Sequence, residues 1–194
     1  MLHREAARKA IHAAAGTAAA GVVYFAPPLI ASAVCLAALA VALLLELARL
    51  ASPRVGQAFQ RALHPMLRPS EARRLTGATT LALGIAATTL IFPRRFAVAG
   101  LLYAALGDAA GAIVGRALGK HCLPWSHKTI EGSGAVFLAA SLVGWGAAGL
   151  SPAAASLAAL AVALIEAAPL RIDDNLVLPL TGAAVAWIAS FLPF

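Results

Sequence analysis

Charge is what this sequence has least of. Only 12% of its 194 residues are Asp, Glu, Lys or Arg, against about 25% in an ordinary soluble domain. Cysteine is nearly absent as well. Cys35 falls in an apolar run and Cys122 in a polar loop, so a disulfide framework is not expected, and two thiols do not make a zinc site. No Walker A motif, no Gly-x-Ser-x-Gly elbow and no His-Glu-x-x-His pair occurs, which leaves P-loop and serine-hydrolase chemistry without support. No polar mature segment follows the basic start (Arg4, Arg8, Lys9). That start is therefore read as retained, not as a cleaved signal peptide.

What is present is apolar. The hydrophobic share is 61% and the mean hydropathy is +0.86, the signature of an integral membrane protein. The expected fold is all-α and polytopic, with about seven transmembrane helices in a single domain over residues 1–194. A span takes about 20 apolar residues. Seven stretches qualify or come near: 10–25, 29–48, 75–92, 96–118, 134–150, 153–168 and 176–191. Between the second and third, residues 56–67 have the pattern of an amphipathic surface helix.

The net charge is +7, yet the basic residues flank apolar segments, so membrane orientation explains them better than nucleic-acid binding. Seven spans put every Lys and Arg except Arg94 and Arg95 on the same side as the N-terminus. That side is expected to be cytoplasmic, and in a bacterium the membrane would be the cell (inner) membrane. Arg94 and Arg95 break the rule.

The same topology gathers the other polar residues. His12, Glu46, Glu71, Asp108, Glu166, Asp173, Asp174 and Asn175 all fall toward the cytoplasmic face. Asp108 lies about 12 Å along its helix from Arg116, at 1.5 Å per residue. An acid at that depth costs roughly 2.5–3.5 kcal/mol and marks a functional site by default. Gly107, Gly111, Gly115 and Gly119 recur every fourth residue around it, a pattern read first as a small-residue packing seam. The loop that follows opens into a helix through Lys128, Thr129, Glu131, Gly132 and Ser133. Backbone N–H groups at a helix start suit a phosphate, and Lys128, Lys120 and Arg116 would add charge. Acids beside such cations suggest Mg2+, with Asp108, Glu131, Asp173 and Asp174 as candidate ligands. The histidines are weaker signals, and Glu46 with Arg49 is an i,i+3 pair able simply to neutralise a span end.

In order along the chain, these residues resemble the CTP-dependent lipid-alcohol kinases: dolichol kinase, phytol and farnesol kinase, and the yeast-type diacylglycerol kinase. The resemblance runs through Arg8-Lys9-x-x-His12, Glu46-x-x-Arg49, Glu71, Thr76-Gly77-Ala78, Gly107-Asp108-Ala109, Gly115-Arg116, Lys128-Thr129-x-Glu131-Gly132-Ser133 and Asp174-Asn175. Each piece is short; the ordered set carries the likeness. It implies transfer of the γ-phosphoryl group of CTP to a membrane lipid alcohol (polyprenol, phytol, farnesol or diacylglycerol), with Mg2+, on the cytoplasmic side. Asp108, Lys128, Glu131 and Asp174 would be catalytic. Arg116, Lys120, Lys128, Thr129, Gly132, Ser133 and Asn175 would hold the nucleotide. The partners implied are nucleotide and lipid, without nucleic acid and with a homodimer allowed. Phosphatidate cytidylyltransferases are similar over the central stretch, Gly119-Lys120-His121 and Ser126-His127-Lys128-Thr129 included, but their characteristic C-terminal motifs are absent. CDP-lipid synthesis and a cation-coupled transporter built on Asp108 are the competing expectations.

Overall fold

A computed structural model describes residues 2–63, 67, 71, 74–126, 128–170 and 172–193, with side chains from residue 7 onward. Arg68, Arg73, His127, Arg171 and residues 64–66 of the expected surface helix lie outside the described residues, as does the side chain of Arg4. The described chain is all-helical, without strands. Its elements are α1 (Leu2–Phe25), α2 (Pro28–Ala51), α3 (Pro53–Leu63), α4 (Gly77–Ile91), α5 (Arg94–Leu102), a π-helical turn (Tyr103–Gly107), α6 (Asp108–Leu118), α7 (Ile130–Gly146), α8 (Pro152–Ala167) and α9 (Asp174–Ala189). A helix stands at each of the seven expected spans.

Among the described residues two helices are long and apolar enough to cross a membrane: α2, and the continuous rod Arg94–Leu118 made of α5, the π turn and α6. The other apolar helices, α4, α7, α8 and α9, run 15–17 residues. Large apolar side chains face outward on several of these helices, among them Leu44, Ile113, Leu142 and Leu164, each more than 60% exposed.

The ends follow local chemistry. Thr76, Thr129, Ser151 and Asp173 cap α4, α7, α8 and α9, each accepting a backbone N–H with its side-chain oxygen. The Thr129 cap starts α7 four residues before the expected span. α7 ends at Gly146, four residues short of its expected reach, and Gly149, in the left-handed region at φ +61°, ends the turn after it. Pro27-Pro28 separates α1 from α2, and Pro93 precedes α5.

Helix α5 is the axis. All seven residues from Phe96 to Leu102 are buried, so it is covered on every side. α9, α1, α4 and α7 pack against it, and α4 also packs on α9. α8 packs on α7 and α9, and Val136, Ala140, Ala158, Ala159 and Val162 are fully buried there. The two arginines that broke the positive-inside rule have structural work. Arg94 donates to the Ala26 carbonyl at the α1–α2 turn, and Arg95 to the carbonyls of Ala148 and Gly149 after α7. They tie three turns together at the end of the bundle opposite the polar residues.

The π turn seats Tyr103. Its ring is fully buried against Gly144 of α7 and Gly182 of α9, and a Cβ at Gly144 would overlap the Tyr103 hydroxyl. That hydroxyl has no partner among the described residues. Gly144→Ala is expected to destabilise the protein by about 1–3 kcal/mol through overpacking. Tyr103→Phe should hold or raise stability, since an unsatisfied buried hydroxyl is lost. The double variant should recover part of the Gly144→Ala loss, read as thermal midpoints in detergent. Additive effects would contradict this packing.

Candidate active site

Four segments far apart in sequence meet at one end of the bundle. They are the first half of α1, the residues before α4, the start of α6, and the residues before α9. Between them lies a polar cavity of about 410 Å3. Arg8, Lys9 and Arg74 bring cations to its wall, and Glu71, Asp108, Asp173 and Asp174 bring acids. His12, Gly77 and Asn175 complete the inner part.

Asp108 follows the π turn directly. One inserted residue rotates the rest of the helix by about 100°. Asp108 receives a 2.6 Å ion pair from Lys9 of α1 on Oδ1, with both side chains about three-quarters buried. Before α9, Asp173 Oδ1 caps the helix by accepting from the Asn175 N–H at 3.0 Å. The Asn175 side chain has its own geometry. Its Nδ2 donates to the Gly77 carbonyl at 3.4 Å, which leaves Oδ1 to accept, and His12 Nδ1 lies 3.2 Å from it. Asn175 thereby sets the tautomer: Nδ1 of His12 carries the proton and a neutral ring keeps its Nε2 lone pair. Glu71 accepts the Gly77 N–H at 3.1 Å and steadies the α4 start from the other side.

Glu46 and Arg49 stand apart from the cavity. They form a buried ion pair at the end of α2. Glu46 also accepts from the Thr76 N–H, the Thr76 hydroxyl and the Thr79 hydroxyl, and Arg49 donates to the Arg74 carbonyl. The pair thus clamps the chain entering α4.

Lys128, expected to hold phosphate, is elsewhere engaged. The loop 119–129 doubles back with Cys122 bridging Thr129, and Leu123 N–H donating to the Lys128 carbonyl at 2.8 Å. This delivers the Lys128 ammonium to Glu166 at 2.8 Å and to Asp174 at 3.4 Å, and it donates to the Glu166 carbonyl. Burial works against the ammonium, but the bonds and charges of Glu166 and Asp174 outweigh it and hold its pKa above the ordinary lysine value. Lys128 therefore touches the cavity only through Asp174. Glu166 is the partner that the sequence motifs did not point to; its one signal was an acid closing an apolar helix.

The other expected nucleotide contacts lie outside the cavity. Arg116 is exposed and its Nε donates to the Ala112 carbonyl of its own helix. Lys120 is exposed too. At the α7 start, Gly132 N–H donates to the Thr129 hydroxyl, Ser133 N–H to the Thr129 carbonyl and Ile130 N–H to the His121 carbonyl. Those donors are spent within the protein, so this helix start does not offer a phosphate cradle. Gly132 is buried in the glycine seam: a Cβ there would stand 3.0 Å from the Gly111 carbonyl and 3.2 Å from Gly115 Cα. Ser133 Oγ is buried without a partner among the described residues. Glu131 pairs with His121, Oε1 to Nδ1 at 2.7 Å, instead of facing Asp108. That bond, with backbone N–H groups, lowers the Glu131 pKa to about 2.

Among the described residues no group of three or more acids, histidines or cysteines forms a metal cage. The four expected Mg2+ ligands divide: Asp108, Asp173 and Asp174 share the cavity, and Glu131 does not. Magnesium needs only one or two carboxylates when phosphate oxygens supply the rest, and the cavity wall carries three.

Comparison with known protein families, curated proteins and solved structures finds no match to this chain.

Two outcomes test this geometry. Lys128→Met strands the buried Glu166 carboxylate and should cost about 3 kcal/mol of stability, while Lys128→Met with Glu166→Leu should restore most of it. Thermal denaturation of the single and double variants reads this directly. A carbon-13 NMR titration should show Glu131 ionising near pH 2. Its lowered pKa adds stability above its ordinary pKa, about 4.3, and that share is lost as pH falls toward 2. His121→Ala should return the midpoint toward the ordinary value.

Proposed function

We propose that this protein is an integral membrane enzyme that transfers a phosphoryl group from a nucleoside triphosphate to the hydroxyl of a lipid alcohol. One observation carries the reading. The polar cavity, with cations and carboxylates together, shares Arg8, His12, Glu71 and Gly77 with an apolar cleft of about 490 Å3. A charged donor and an apolar acceptor would meet where the two join. The ordered resemblance to CTP-dependent lipid-alcohol kinases supports CTP as the donor. The membrane would be crossed seven times, by α1, α2, α4, the α5–α6 rod, α7, α8 and α9, with the polar end cytoplasmic.

In this reading Arg8, Lys9 and Arg74 attract and orient the triphosphate from the cavity wall. Catalysis is positioning and charge neutralisation. Asp108 and one of Asp173 or Asp174 would hold a magnesium ion, which would offset phosphate charge. The lipid hydroxyl attacks the γ-phosphorus, the bond to the β–γ bridging oxygen breaks, and the nucleoside diphosphate leaves. The hydroxyl proton goes to Nε2 of His12. Asp108 is paired with Lys9, and Asp174 with Lys128, whereas His12 stands at the junction with its tautomer set by Asn175. Lys128 acts through Asp174 and is a positioning residue.

Incubation with γ-labelled CTP and a panel of lipid alcohols tests this. Label should appear in the lipid. Label in pyrophosphate would instead establish CDP-lipid synthesis, and cation flux in proteoliposomes without nucleotide binding would establish a transporter. Asp108→Asn and His12→Ala should each lower turnover by about 100-fold or more while the protein still inserts. Full activity in either overturns the assigned site.

A further inference from the structure

Helices α1 and α2 are joined through Ala26 and Pro27, yet they splay from that turn and touch each other little. α2 leans on α4, and α1 on α5. The apolar cleft fills the gap. Ala15 and Ala19 of α1, Ala38 and Ala42 of α2, and Ala78 and Ala82 of α4 line it. Each pair is spaced i,i+4, so each helix turns one small-residue face inward. Such faces ordinarily let helices close together. Here two of them stand apart, and the volume between is held open by the packing of α2 and α1 on different neighbours.

The two ends of the cleft differ. At one end Arg8, His12, Glu71 and Gly77 belong also to the polar cavity. Phe59 and Leu63 of α3 lie over that same end. α3 is fixed there by the Arg49 guanidinium over the Phe59 ring at 5.6 Å and by the close crossing of Gly56 on the Arg49 carbonyl, 2.8 Å from a would-be Cβ. The far end, around Val22, Val34 and Ile85, is apolar throughout. A ligand filling this shape is amphiphilic, with one polar head at His12 and one hydrocarbon tail.

We propose that the cleft binds a single hydrocarbon chain, entering sideways between α1 and α2, and that it selects single-chain alcohols over two-chain glycerolipids. Its 490 Å3 holds on the order of 16 groups of about 30 Å3, the volume of one water and close to that of a methylene. One isoprenoid or fatty chain of that length fits; two acyl chains do not. Longer chains would leave between α1 and α2 into lipid. The phosphorylation of the bound alcohol rests on the function proposed above; the binding does not.

The test uses the full chain in phosphatidylcholine vesicles without nucleotide. The probes are a hexadecyl alcohol and a diacylglycerol, each with a diazirine at a chain terminus. The single-chain probe should label cleft-facing residues of α1, α2 and α4. Ala38→Phe and Ala82→Phe fill the cleft and should cut that labelling about tenfold, and the milder Ala38→Val should cut it less. Leu44→Phe, on the outward face of α2, should leave it unchanged. Labelling elsewhere, or labelling indifferent to the filling variants, overturns the cleft. Equal labelling by the diacylglycerol overturns the single-chain preference. A labelled cleft in a protein that transfers no phosphate would retire the kinase reading and leave this one standing; phosphate transfer without cleft labelling would do the reverse.

Discussion

The structure depends on backbone touching backbone around the buried helix α5. Glycine makes those contacts possible. A Cβ at Gly100 would overlap the Pro179 carbonyl of α9, one at Gly84 the Asn175 carbonyl, and one at Gly16 would come within 2.8 Å of Ala105 Cβ. At each of these crossings a side chain would have to displace backbone or a neighbouring Cβ, so the close approach needs glycine. The three crossings fix α9, α4 and α1 around the central rod. They also fix what those helices carry at the polar end. Gly84 holds α4 on the backbone of Asn175, the residue that sets the His12 tautomer. Gly16 holds α1 so that Lys9, two turns earlier, meets Asp108.

Charge in this end of the molecule is economical. Four of the buried or half-buried acids have a named cation: Lys9 for Asp108, Arg49 for Glu46, Lys128 for Glu166 and Asp174. Unpaired, each would carry a desolvation cost of several kcal/mol. Pairing also divides the work. Glu46–Arg49 and Lys128–Glu166 hold segments in place at a distance from the cavity. Lys9–Asp108 lies in the cavity wall itself.

The helices were legible because periodic apolar runs and caps are local. Thr76, Ser151 and Asp173 mark starts by chemistry that acts within three residues. The convergence of His12, Glu71, Asp108 and Asp173–Asn175 was legible too, since consecutive helices that reverse direction bring alternate ends together. The division of the polar loop was not. Lys128, Glu131 and Gly132 are adjacent in sequence, yet they face Glu166, His121 and the glycine seam. A helix turns neighbours about 100° apart, and the hairpin before it separates them further. Glu166 was placed at the polar end as an acid closing an apolar helix, but nothing local paired it with Lys128.

The sequence by itself determined the apolar helical architecture, the polar end and most of the residues in the cavity, because composition, period and charge asymmetry are properties of the chain alone. Only the tertiary structure decided which acid meets which cation, why Arg94 and Arg95 sit at the opposite end, and that α1 and α2 stand apart over a cleft. Those outcomes turn on ångström-scale approach between helices distant in sequence, at Gly16, Gly84, Gly100 and Gly144. No local pattern encodes which backbone each glycine will meet.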